Sequence, residues 1–274
     1  YVMDIRQAES MLRQLSHEIC ENNTVDQTLY KTFDVKRGLR HADGSGVLAG
    51  LTYISSVVGS QKTASGLDPI EGVLKYRGIS FLDIASACTE HVTHYFERIC
   101  FLLLVGRFPT DNEAIQFNAY MAAHRDLPME LINGVIKGLP SKNIMNKLQT
   151  SIAALYAFDE QPDELDPTEN MLKAVRLLAK LPTIVAYSYL AAYETNPQYI
   201  KSQPEMSQAQ HFCAVLHQGK VVSAFEAHII DLSLAIHAEH GGGNNSTFTT
   251  YVVTSSGSDI YSTMAAAVAS LKGP

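Results

Sequence analysis

The chain has 274 residues, with 28 Asp and Glu against 21 Lys and Arg, a formal charge of −7 at neutral pH. That balance excludes a protein held on nucleic acid by phosphate neutralisation, which needs a basic surface. With 46% apolar and 18% charged residues, the chain is globular rather than disordered, and its length suits one large domain or two modest ones.

Taken in order, apolar and charged residues at helical spacing predict a first helix over Ile5–Glu21. Glycines then punctuate the chain at Gly38, Gly44, Gly46, Gly50, Gly59 and Gly66. Among them lie Val47, Leu48, Leu51, Val57 and Val58, a pattern of short strands or extended turns. Helical spacing returns over Ile79–Cys88, Tyr95–Val105, Asn112–His124, Met129–Lys137 and Asn143–Phe158. It continues over Glu169–Lys180, Pro182–Glu194, Ser207–Leu216 and Val221–His240, and ends with Asp259–Leu271. Pro109, Pro128, Pro162, Pro167 and Pro182 are read as boundaries, where a missing N–H costs least. Thr247–Thr254 has the β-branched composition of a strand. It lies between helices with no partner strand in sequence, so propensity is a poor guide there.

The purely apolar run Ile99–Val105 is far short of the ~20 residues of a membrane helix, and Leu177–Tyr193 carries Lys180 and Pro182. No basic start leads into an apolar block, so no secretory signal is read; the opening Tyr1 implies that the chain has lost its own start. Cys20, Cys88, Cys100 and Cys213 are scattered without a CxxC pair. They read as reduced thiols, which with the absent signal predicts a cytoplasmic protein.

Gly44-Ser-Gly46-Val-Leu-Ala-Gly50 approaches a dinucleotide fingerprint, but its spacing is GxGxxxG and no βαβ unit surrounds it; it reads as a turn. His237-Ala-Glu-His240 places two imidazoles one turn apart on the predicted helix, with Glu239 between them. It is not HExxH and has no third ligand, so no metal is expected. Three glycines, Asn244, Asn245 and Ser246 follow. The histidine is then either a satisfied helix-end residue or a group presented to a ligand by a close-approach loop. Arg176 and Lys180, one turn apart, are expected to pair with acids or face solvent. His211 and His217 flank Cys213, but nothing beside them marks an activated thiolate.

Ile236-His-Ala-Glu-His240-Gly-Gly-Gly-Asn-Asn-Ser-Thr247, followed by Ser255-Ser-Gly-Ser-Asp259 and Ala267-Val-Ala-Ser-Leu-Lys-Gly-Pro274, resembles the citrate synthases. Gly38–Thr52, Tyr76-Arg-Gly-Ile79, Leu102–Thr110 and Arg176–Tyr187 resemble the same family in collinear order, and the front segment resembles its bacterial branch. The resemblance implies an all-α, multi-helical large domain over residues 1–274 with a short N-terminal β segment. It makes Thr247–Thr254 helical, and it implies a homodimer.

The implied activity is that of a transferase of the tricarboxylic acid cycle. Acetyl-CoA and oxaloacetate, both substrates, condense to citrate and CoA by acid–base and electrostatic catalysis, with no cofactor, metal, nucleic-acid or membrane partner. By position, His240 matches the family's catalytic, oxaloacetate-contacting histidine. Asn244 and Ser246 match residues lining the same cleft, Ser246 supporting the histidine that stabilises the enolate. Gly241 stands where many members carry Glu or other residues. Pro274 falls just before the Leu-His-Gly-Gly stretch that carries that second histidine, and the catalytic Asp and the small CoA-binding domain lie further on in the family. The resemblance therefore implies a truncated chain, inactive alone. A 2-methylcitrate synthase and a non-catalytic helical dimerisation module are the competing readings.

Overall fold

The fold is described from a computed structural model, for residues 26–32, 39, 41, 47, 52–64, 66–87, 94–194, 197–241 and 244–273. The Ile5–Glu21 helix, the Gly44–Gly50 turn, Cys20 and Cys88 lie outside them. Residues 1–47 and 48–274 form separate compact units. In the first, helix α1 (Gln27–Thr32) opens at Asp26, whose carboxylate accepts from the Thr28 amide at 2.9 Å and its hydroxyl at 2.8 Å.

The second unit is predominantly helical with one small antiparallel sheet, as expected. Strand β1 (Ser55–Thr63) pairs with β2 (Gly66–Tyr76), from Thr63 opposite Gly66 to Ser55 opposite Tyr76, with a bulge between Val58 and Ser60. Two residues, Arg77 and Gly78, both at positive φ, turn the chain back, as in a type I′ hairpin. Ile79–Ser80 therefore forms a short third strand, β3, and α2 is only Phe81–Ser86. The helix predicted from Ile79 starts two residues late because the turn claims its first residues for the sheet.

The remaining helices are α3 (Tyr95–Val105), α4 (Asp111–Ala123), a π-helical segment (Leu131–Lys137) and α5 (Ile144–Leu155), which tightens to a 3-10 turn over Tyr156–Phe158. After them come α6 (Pro167–Tyr193), α7 (Gln208–Leu216), α8 (Ala224–Ile236), α9 (Asn245–Thr254) and α10 (Ile260–Ser270). Their starts are written locally. Thr110 with Glu113, Ser207 with Gln210 and Ser223 with Glu226 form capping boxes, and Asn143, Asp166, Asn244 and Asp259 cap with side-chain oxygens. The Asn244 cap is the physical reason that Thr247–Thr254 is a helix despite its composition.

Pro182 does not end a helix. It sits inside the 27-residue α6, where it removes one N–H and frees the carbonyl four residues back. The side-chain amide of Gln208 supplies the missing donor, to the Leu178 carbonyl at 3.4 Å and the Ala179 carbonyl at 2.8 Å.

The main apolar core joins the π-helical segment, α5, α6, α7 and α10 through Ile132, Ile136, Ile152, Leu155, Ile184, Val215 and Tyr261. A second cluster packs Tyr76, Phe81 and Ile84 against Tyr95, Ile99 and Leu102 of α3 and Ala235 of α8. A fully buried Ile or Leu contributes roughly 1.5–3 kcal/mol. The helical cluster therefore carries the fold, while the β1–β2 hairpin is exposed along most of both strands.

Candidate functional site

The candidate site begins where α8 ends. The helix stops at Ile236, not at His240, because its last carbonyls find partners outside the helix. The buried Tyr76 hydroxyl donates a shared bond to the carbonyls of Ala235 (2.8 Å) and Ile236 (3.0 Å). Burial raises the Tyr76 phenol, which keeps it a donor. His237 then turns its Nδ1 onto the Ser233 carbonyl at 2.7 Å; facing a carbonyl, that nitrogen carries the proton. His237 is thus a side-chain cap. The two histidines do not share a helical face, which corrects the expected one-turn spacing.

The chain next passes through a tethered turn. Glu239 accepts from the Ser55 hydroxyl at 3.3 Å and from the Gly241 amide at 2.9 Å. Gly241 has φ +96°, the left-handed region, and its back lies against the Ser55 carbonyl. Gly242 and Gly243 lie outside the described residues.

His240, Asn244 and Ser246 are brought together. Asn244 caps α9: its Oδ1 accepts from the Thr247 amide at 2.8 Å and from the Ser246 hydroxyl. Those two donors fix which way the amide points. Its Nδ2 therefore faces the Gly241 carbonyl and the His240 Nε2, each at 3.3 Å. Nδ2 is a donor, so Nε2 of His240 is the unprotonated nitrogen, and the neutral ring carries its proton on Nδ1. His240 is exposed, while Asn244 and Ser246 are half-buried. The arrangement presents one imidazole N–H, held by an amide that cannot flip, at the mouth of a turn.

Arg176 and Lys180 behave otherwise than expected. Lys180 is half-buried and donates to the carbonyls of His124 (2.6 Å) and Asp126 (3.0 Å), and the Arg176 Nε donates to the Tyr120 hydroxyl at 2.7 Å. Neither pairs with a described carboxylate. Both line a cavity of about 630 Å³ with Lys173, Asp159 and Tyr261, a feature their spacing does not announce. Lys173 is buried and bound to the carbonyls of Pro162 and Glu164 and the Asp159 carboxylate.

Cys213 is buried, and burial raises its thiol. Neither ring nitrogen of His211 meets a partner, and burial, then the Arg125 charge, push that ring down to about 4. No Cys–His pair forms. The fully buried Arg125 is a second residue that sequence reasoning misses, since no pattern around it marks a charged group for the interior. Among the described residues no three His, Cys, Asp or Glu side chains gather as metal ligands, and no helix is long and apolar enough to cross a membrane.

Residues 43–274 match the family model described as citrate synthase, C-terminal domain. Over 244 residues the chain is 36% identical to a 2-methylcitrate synthase of Mycobacterium tuberculosis, covering 88% of this chain and 54% of the relative. Over 222 residues it is 32% identical to a citrate synthase of Synechocystis sp., covering 81% and 53%. The crystal structure of citrate synthase from Pyrobaculum aerophilum superposes with a TM-score of 0.70 at 30% identity, over 87% of this chain and 58% of that one. The chain spans about half the length of the curated relatives it matches. The family match over residues 43–274 and the shared helical architecture agree, and the chain belongs to the citrate synthase family.

Proposed function

We propose that this chain supplies the oxaloacetate-facing part of a synthase that condenses an acyl-CoA with oxaloacetate. The observation that carries the reading is the fixed amide of Asn244. It leaves His240 with Nδ1–H as its free donor, and a donor aimed at a ketone oxygen stabilises the alkoxide that forms when a carbon nucleophile attacks. In that reaction a carboxylate takes a proton from the acyl α-carbon, the enolate carbon bonds to the ketone carbon, and water cleaves the thioester to release CoA. Glu239 is tied to Ser55 and the Gly241 amide and is not that base. No other described carboxylate bonds to His240, Asn244 or Ser246, and we read the chain by itself as inactive. Ser246 orients Asn244 here and supports a further histidine in the complete site. Residues 1–274 are read as large-domain sequence of a cytoplasmic homodimer.

Isothermal titration of the chain with oxaloacetate tests this. Binding should vanish in His240→Ala, and mixing with acetyl-CoA and oxaloacetate should release no thiol. Equal binding by the variant, or measurable turnover, refutes the reading. A chain that sediments as a dimer yet binds no oxaloacetate is instead a helical dimerisation module. The 36% identity to a 2-methylcitrate synthase supports a second reading, in which the acyl donor carries one more methyl group. In the intact synthase, a kcat/KM for propionyl-CoA above that for acetyl-CoA selects it.

A further inference from the structure

Two carboxyl groups and one guanidinium sit in the interior away from His240. Glu97 and Arg125 have no exposure and Asp231 has 3%. The Asp231 carboxylate accepts from the amides of Tyr95 (3.0 Å) and Phe96 (2.8 Å), one on each oxygen, and so holds the first turn of α3 to α8. Glu97 Oε1 accepts from the Gln208 amide at 2.6 Å and from Arg125 Nη2 at 3.4 Å, while Oε2 meets no donor. Arg125 is also spent on the Gln208 side-chain oxygen and the Met206 carbonyl. Gln208 in turn serves the α6 carbonyls beside Pro182. One cluster therefore ties α3, α6, α7 and α8 together, and α8 runs on into the turn that carries His240.

One guanidinium cannot neutralise two buried carboxylates, and a net buried charge is strongly disfavoured. The cluster must hold a proton, and the bonding says where. Both oxygens of Asp231 accept amide hydrogens, which favours its charged form, whereas Oε2 of Glu97 is bare. We propose that Glu97 carries a proton on Oε2 at acidic pH and serves as a pH-sensitive latch. Losing that proton as the medium passes neutrality leaves an uncompensated charge that loosens the junction of α3, α7 and α8.

The groups facing the cluster are these. Asp231 comes from α8, with His228 acting on it; Arg125 follows α4, with Asp126 acting on it; Cys100 lies on α3 itself. The start of α7 contributes Ser207 and Gln208, which carry no charge, and the buried His211, which feels Arg125; His94, before α3, feels Arg125 and Arg98. Burial first, then Asp231, push Glu97 up to about 7, against the pull of Gln208 and Arg125. Burial raises Asp231 as well, while the Phe96 and Tyr95 amides pull it back. For an acid raised in the folded state, the stabilisation is complete below its ordinary value of 4.5. It is lost as the pH climbs to about 7, and the loss stops there.

The test compares urea unfolding of the chain and of Glu97→Gln, a neutral isostere, at about pH 5 and about pH 8. The wild-type folded-to-unfolded ratio should fall on the order of 100-fold more than that of the variant, and the variant should be the more stable at the higher pH. Protection of the Tyr95 and Phe96 amides, taken relative to the intrinsic exchange rate at each pH, should fall with pH in the wild type only. Parallel profiles, or protection that stays constant with pH, overturn the proposal. Infrared difference spectra of the wild type need no variant: a protonated-carboxyl band should disappear near neutrality, where ordinary carboxyls have already titrated. Its absence also overturns the latch.

Discussion

Gln208→Ala removes a side chain that, among the described residues, reconciles Pro182 with a continuous α6. In the folded chain its amide satisfies the Ala179 carbonyl at 2.8 Å and approaches that of Leu178, and its oxygen accepts from Arg125. Truncation leaves the half-buried Leu178 carbonyl, which Pro182 deprives of its helical donor, without a partner, at about 1–3 kcal/mol, and takes one acceptor from a buried cation, at about 1.5–3 kcal/mol. The Gln208 backbone bond to Glu97 survives, so the loss totals about 4 kcal/mol. At a urea dependence of about 3 kcal/mol/M, the unfolding midpoint should fall by about 1.3 M. Pro182→Ala restores an N–H at position 182 and lets the helix satisfy its own carbonyls. In that background Gln208→Ala should therefore cost about 1 kcal/mol less. A loss below about 1 kcal/mol in the parent chain, or strict additivity of the two changes, would refute the compensation argument.

Gly241→Ala would make only ordinary contact with Ser55 but forces an L side chain to φ +96°. It should cost about 1–2 kcal/mol in urea unfolding and weaken oxaloacetate binding, because the same turn carries His240. His237→Ala should cost only about 0.5–1 kcal/mol, since it uncaps one exposed carbonyl, and should leave oxaloacetate titration unchanged. Binding lost in His237→Ala as completely as in His240→Ala would place the ligand elsewhere.

What the sequence makes legible is local. Helix starts sit where Thr110, Ser207, Ser223 and Asp259 stand, because a cap and its partner lie within three residues. What stays hidden depends on residues remote in sequence. Pro182 reads as a break because its remedy is Gln208, on another helix. Likewise α8 reads as running to His240, because the hydroxyl that draws off its last carbonyls is 160 residues from Ile236. The type I′ turn at Arg77-Gly78 is marked in the sequence only by its Gly, and the helical spacing that follows masks the short third strand. The resemblance names His240, Asn244 and Ser246, but no one-dimensional pattern tells which nitrogen of His240 is protonated. That follows only once the Thr247 amide and the Ser246 hydroxyl have fixed the Asn244 side chain.

The exposed hairpin then acquires a purpose that its poor burial does not suggest. Ser55 and Tyr76 are directly opposite each other in the β1–β2 register. Both reach the α8–α9 turn: Tyr76 holds the last carbonyls of α8, and Ser55 holds Glu239 and backs Gly241. A single register thus sets both anchors. A one-residue slip of β1 would turn Ser55 to the opposite face of the sheet, releasing Glu239 while Tyr76 stayed in place. The I′ turn at Arg77-Gly78 and the pairing of Ile79 with Tyr76 resist the equivalent slip of β2. Asn244 fixes the ring of His240 from the α9 side, and the paired ends of the hairpin fix the backbone that carries it from the α8 side. Directional placement of one imidazole N–H requires both, which is a physical reason for a helical unit to keep this sheet.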